Sequence, residues 1–212
     1  MTGRPVRQAL HSRTTRATRA RILEAARREL SRSPDRGLAD IAEAAGVTRR
    51  TVYAHFAGRP ALVDGLAVDP ADAIRPAIDV TRTPSGDAAS ALARLILTVW
   101  PVGDRYRTPI ALARQDLGPD RLGELLSPAR DTTAAVLSRG QRQGAFHTSI
   151  PPGPLSTALE ALLLALLDSV SSGIRADDGA ATATLIAAGV DKHVAAATVH
   201  RPHGSGPTRP PR

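Results

Sequence analysis

Residues 40–59 read DIAEAAGVTRRTVYAHFAGR, and the reading of this stretch decides the fold. It predicts two short helices joined by a tight turn. In the first, Ile41, Ala42 and Ala45 make the buried side. Gly46 follows as a residue able to take the left-handed conformation in which a helix ends. Val47 is the apolar plug of the turn. Thr48 suits the N-cap of the next helix, because its hydroxyl can accept from a free amide of the first turn. Val52 and Phe56 stand four apart and therefore share one inward face. Thr48, Arg49, Arg50, Thr51, Tyr53 and His55 are left for another purpose. Guanidinium donors beside hydroxyl and imidazole groups suit the phosphate-walled major groove of double-stranded DNA.

The charge pattern points the same way. Residues 1–59 contain 13 arginines and five acidic residues, whereas residues 60–212 carry equal numbers of basic and acidic side chains. The whole net charge of +8 therefore lies in the segment that holds the motif. That asymmetry is the electrostatic footprint of a nucleic-acid reader joined to a neutral second module. The excess of Arg over Lys, alongside abundant Ala, Gly and Pro, is what a GC-rich genome produces and has no functional meaning by itself.

The motif resembles the DNA-binding domain of the tetracycline-repressor (TetR) family of bacterial regulators. That family's pattern is roughly ILxAAxxLF, then IAxxAGVSxxTLYxHF, then a small residue, Lys or Arg, and xxLL. Here it reads Ile22-Leu23-Glu24-Ala25-Ala26, then Ile41 through Phe56, then Gly58-Arg59 and Ala61-Leu62. The likeness spans about residues 19–66 and runs from Ile41 to Arg59 without a gap. Two departures stand out: a short link, Ser33-Pro34-Asp35-Arg36, and Gly37 where a Ser or Thr usually caps the second helix. The resemblance implies an all-α protein with an N-terminal three-helix helix-turn-helix domain and a larger helical domain for ligand binding and dimerisation. It places Thr51, Tyr53 and His55 at positions that hold DNA backbone or adjacent bases, and Arg59 at the family's phosphate-binding Lys. A second, looser similarity covers about residues 136–172, where GQRQGAFHTSIPP precedes an apolar helix. There His147 and Ser149 replace the family's usual Arg and Asp.

From Arg59 on the pattern stays helical to about residue 199, with no convincing alternating strand. The expected organisation is a flexible basic arm over 1–14, a helix-turn-helix domain over 15–66, a helical ligand-binding and dimerisation domain over 67–199, and a disordered tail over 200–212. Helices are expected at about 15–30, 38–45, 49–55, from 59 onward, 88–100 with Pro101 as its end, 107–116, 119–143, 154–172 and 178–199. Residues 81–86 read as a loop. Arg4, Arg7, Arg13 and Arg16 suit either a minor-groove arm or a solvated tail.

The remaining sites are less legible. Trp100, Tyr106 and Phe146 are the aromatics outside the reader, so a pocket in the second domain would be mainly aliphatic. The resemblance implies a ligand cavity there. Trp100 and Tyr106 are candidates to line it, with Arg105 and Arg114 to meet a polar or anionic end. Leu159, Leu163, Leu166 and Val170, with Leu185, Ile186 and Val190, form stripes wide enough to pack inward and against a second copy. No nucleophile elbow, Gly-rich phosphate loop or HExxH spacing is present, so no enzyme, cofactor or metal is expected. The chain has no Cys, which excludes disulfides and thiolate metal sites and fits a reducing cytoplasm. The longest apolar run, Ala161–Leu167, is too short to span a membrane, and the basic start lacks the apolar core of a signal peptide. The expected function is a ligand-responsive transcriptional regulator, a repressor, that binds a pseudo-palindromic operator as a homodimer and is released by a hydrophobic small molecule. The alternatives are a constitutive or architectural DNA-binding protein without a switch, and a scaffold that has lost DNA binding. Intact Arg49, Arg50, Tyr53 and Arg59 speak against the last.

Overall fold

The computed structural model describes residues 4–82, 87–169 and 176–200. Ten helices account for them: α1 (Arg4–Arg32), α2 (Leu38–Ala44), α3 (Arg49–His55), α4 (Arg59–Arg82), α5 (Ala88–Arg105), α6 (Arg107–Asp116), α7 (Gly118–Arg142), α8 (Pro152–Ser169), α9 (Ala176–Ala187) and α10 (Lys192–Val199). No strand occurs among the described residues. None of these helices is long and apolar enough to cross a membrane.

The chain divides into two compact units. The first comprises residues 1–72 and 106–125, the second 73–105 and 126–212. The first unit has its own core of Ile22, Ala25, Ala26 and Leu30 from α1, Ile41 and Ala42 from α2, Val52 and Phe56 around α3, and Leu62, Val63 and Leu66 from α4. Leu112 and Ala113 of α6 are buried in that core too, and Leu117, Leu122 and Leu125 pack on it. Hence α6 and the start of α7, assigned by sequence to the second domain, group with the reader. In the second unit, Leu92, Ile96 and Trp100 of α5 pack with Val136 and Leu137 of α7, Leu155, Leu159 and Leu167 of α8, and Leu185 of α9.

Four expectations need correction. The arm expected to be flexible over 1–14 is helical from Arg4, as the start of α1. Nothing in residues 4–15 stops a helix beyond Pro5, which is tolerated in a first turn. Pro101 does not end α5, which runs on to Arg105 with the proline inside it. Proline removes one helix hydrogen bond at a cost of about 3 kcal/mol; Trp100 before it and Gly103 after it are both buried. The expected helix over 178–199 is two helices. Gly189, at φ 98°, ends α9. The amides of Gly189 and Val190 reach back to the carbonyls of Ile186 (2.9 Å) and Leu185 (3.0 Å), the two bonds of a Schellman turn. Asp191 then caps α10, accepting from the amides of His193 (2.8 Å) and Val194 (3.3 Å). Those two amides, His193 first, hold the Asp191 carboxyl below its ordinary pKa. Lastly, Leu159 and Leu185 are 2% and 0% exposed within the chain's own core, so neither can serve as a partner-facing residue. Val170, residues 83–86 of the expected loop and residues 201–212 of the expected tail lie outside the described residues.

Candidate nucleic-acid interface

The turn before α3 is built as its sequence dictates. Ala45 ends α2, and Gly46 takes φ 62°. The Gly46 amide donates to the Glu43 carbonyl (3.0 Å) and the Val47 amide to that of Ala42 (2.9 Å), again both bonds of a Schellman turn. Thr48 caps α3, its hydroxyl oxygen accepting from the Thr51 amide at 3.1 Å, with the two threonine hydroxyls 2.8 Å apart. At the head of α2, Gly37 lacks a capping side chain, and Asp40 supplies half of a capping box by accepting from the Gly37 amide (3.0 Å). The missing Ser or Thr therefore leaves the helix start partly satisfied.

Val52 is fully buried and Phe56 is 2% exposed, so α3 is held by its inner face. Arg49 and Arg50 are exposed, and Tyr53 is 57% exposed, which rules out a core ring. Among the described residues, nothing hydrogen-bonds or ion-pairs with the side chains of Arg49, Arg50 or Tyr53. Thr51 and His55 are half-buried. Two guanidinium groups and a phenol thus stand on one short, capped helix with their donors unspent.

Arg59 is different. Its Nε donates to Asp116 of α6 (2.9 Å), its Nη1 to the Arg36 carbonyl (2.9 Å) and its Nη2 to the Pro34 carbonyl (2.7 Å). The side chain expected on a DNA phosphate is an internal clamp, holding the link between α1 and α2 to the start of α4 and to α6. This accounts for the short link: two of its carbonyls have a cation as partner. Further ion pairs bind α4 to its neighbours. Asp64 accepts from Arg121 at 2.6 Å, and Asp69 pairs with Arg27. The bond to Asp64, and then that to Glu124, raises the Arg121 pKa above its ordinary value.

Trp100 borders a small cavity of about 40 Å³ in the second unit, lined also by Ile96, Val99, Gly103, Leu163 and Leu167. Arg105, Tyr106 and Arg114 are not among its walls. Sequence reasoning missed Gly103, which sits one turn after Val99 and whose missing side chain brings Leu167 close. A Cβ there would lie 3.0 Å from Leu167 Cδ1. Of the candidate partner-facing residues, Ile186 is 46% exposed, and Leu163, Leu166 and Val190 are half-buried.

Fold and site together define a helix-turn-helix DNA-binding protein of the all-α class. Residues 22–66 match the family model for bacterial regulatory proteins, tetR family. Three solved structures show how far the likeness extends. A bacterial regulatory protein in the tetR family from Rhodococcus RHA1 superposes with a TM-score of 0.69 at 15% identity, over 82% of this chain and 98% of that one. The TetR family transcriptional regulator PfmR from Thermus thermophilus does so with 0.65 at 18%, over 79% and 96%. RolR in complex with the ligand resorcinol does so with 0.59 at 23%, over 92% and 98%. No curated protein matches the sequence. The chain thus carries a tetR-type DNA-binding segment over residues 22–66, and its fold is similar to that of these solved regulators.

Proposed function

We propose that the chain represses transcription as a homodimer on a pseudo-palindromic operator and releases it when a small apolar molecule enters the second unit. The observation that carries the DNA half is the unspent row of Arg49, Arg50 and Tyr53 on a helix capped at Thr48. Arginine at the start of a recognition helix can grip O6 and N7 of guanine with two hydrogen bonds. One seven-residue helix reads too few base pairs to be selective, which favours two copies set one DNA turn, about 34 Å, apart.

The ligand half rests on the cavity beside Trp100. Its six lining residues carry no charged or hydroxyl side chain, so the fitting molecule is neutral and apolar, without the anionic end that Arg105 or Arg114 would have met. At about 40 Å³ it is far below the roughly 300–1,000 Å³ of pockets for drug-sized ligands. An effector must be small, or must displace Leu163 and Leu167. Both lie on α8, which also carries Leu166, so a ligand here bears on the helix that would meet the second copy. RolR, solved in complex with the ligand resorcinol, supports a small ligand in a fold of this kind. Release then follows if the ligand favours a different spacing of the two readers, with coupling of about 1–3 kcal/mol. Three segments run from one unit into the other: α4 at residue 72, α5 directly into α6 at residue 105, and α7 at residue 125. The small cavity is also the observation that favours a constitutive DNA binder.

Footprinting on the DNA upstream of the protein's own gene tests the reading, and a protected inverted repeat is expected. Titration with small neutral compounds, followed by Trp100 fluorescence and operator release together, separates the two readings. Compounds that quench Trp100 while DNA affinity holds would leave the constitutive binder. On the same operator, Arg49→Ala or Arg50→Ala should each cost about 1–3 kcal/mol and relax preference at particular bases. Arg59→Ala should instead lower the unfolding temperature and leave base preference intact, because its bonds are internal. If Arg59→Ala alone altered base preference, these roles would be reversed.

A further inference from the structure

The recognition helix α3 has seven residues, about two turns, too few to be stable without outside support. Thr48 holds its start and Val52 its inner face. Its end is held by a residue far away in sequence. Arg19, on α1, points its Nη1 at the carbonyl of His55, the last residue of α3, at 3.3 Å. The guanidinium carbon lies 4.3 Å from the centroid of the Phe56 ring. The carbonyls of a last helical turn lack partners within the helix and carry partial negative charge, so a cation is well placed there. A contact of 3.3 Å is a long hydrogen bond. The stacking on Phe56 and the charge at the helix end therefore matter more than the bond itself.

The junction closes through α4. A Cβ on Gly65 would lie 3.1 Å from Phe56 Cε1, 3.3 Å from Arg19 Nη2 and 3.1 Å from Leu23 Cδ2. The bare backbone of Gly65 thus makes space for both the ring and the guanidinium. Three helices meet around one half-buried cation, at the end of the element whose angle decides which bases it reaches. We propose that Arg19 is a positioning residue for DNA reading: it fixes the angle of α3 through Phe56 and the His55 carbonyl rather than by binding DNA. This rests on the reading of α3 as the base-contacting helix.

The test compares wild type, Arg19→Ala, Arg19→Met and Arg19→Lys on the footprinted operator and on an unrelated duplex, over a series of salt concentrations. Arg19→Ala and Arg19→Met should weaken operator binding about tenfold, equivalent to about 1.4 kcal/mol. Affinity for the unrelated duplex and its salt slope should barely change. Arg19→Lys keeps a cation over the ring and should recover most of the loss. Circular dichroism identifies variants that fold, and Arg19→Met, which keeps the apolar stem, stands in should Arg19→Ala unfold. Equal losses on both duplexes with a salt slope lower by about one would make Arg19 a phosphate ligand and overturn the proposal. An unchanged ratio between the two duplexes in folded variants would also overturn it. Wild-type protein with no preference for any duplex would instead refute the DNA-reading assignment itself.

Discussion

Replacing Gly140 by Ala is expected to destabilise the second unit by about 3 kcal/mol. Helix propensity argues the other way, since Ala is favoured over Gly within a helix by about 1 kcal/mol. Sterics decide the sign. A Cβ on Gly140 would lie 2.1 Å from Phe146 Cδ2, 2.2 Å from its Cε2 and 3.0 Å from the Cβ of Ala88. The ring has little freedom to withdraw, being 4% exposed in the core. Its backbone is tied to the same spot, because the Ala145 amide donates to the Gly140 carbonyl at 2.8 Å and the Phe146 amide approaches it at 3.4 Å. The substitution therefore expels the ring or moves α7, and either outcome forfeits much of the burial of a Phe. Urea denaturation followed by Trp100 fluorescence measures this directly, since the chain's single Trp lies in the same unit. Gly153→Ala is the control, because a Cβ there meets nothing within 4 Å. Gly140→Ala protein as stable as wild type would mean that the ring repacks freely.

Placing Asp at Leu166 is expected to give a monomer and to reduce operator affinity about 100-fold or more, the loss that follows when two half-sites are no longer bound together. Leu166 is half-buried on α8, whose Leu155, Leu159 and Leu167 face the chain's own core. Ile186, 46% exposed on α9, leaves a second apolar residue uncovered. A carboxylate introduced among such residues would have to be desolvated in the proposed interface, which costs several kcal/mol. Leu185→Asp distinguishes interface from core: being 0% exposed, it should unfold the unit rather than separate two folded copies. Light scattering with circular dichroism gives both readouts. A folded dimer carrying Asp at 166 would remove α8 from the interface.

Local chemistry made much of this protein legible in the sequence. Gly46, Val47 and Thr48 specify a helix stop, a plug and a new start through bonds that span at most six residues, so the turn and α3 could be read without knowing the rest. The same signal stands at Gly189, Val190 and Asp191. There the apolar periodicity on both sides concealed it, and one helix was expected where two exist. Charge asymmetry is likewise a property of the chain alone, and it marks the reader before any fold is known. Tertiary structure decided the partners. Arg59 looked like a phosphate ligand because its neighbours in sequence say so, yet its three bonds go to residues 23, 25 and 57 positions away. Arg19 meets the end of α3 from 36 positions away. The leucines of α8 are alike in sequence, but Leu159 is buried, Leu163 and Leu167 border the cavity, and Leu166 is half-buried. An amphipathic stripe tells which side of a helix is apolar. What covers each part of it depends on which elements pack there, and that is fixed only when the whole chain folds.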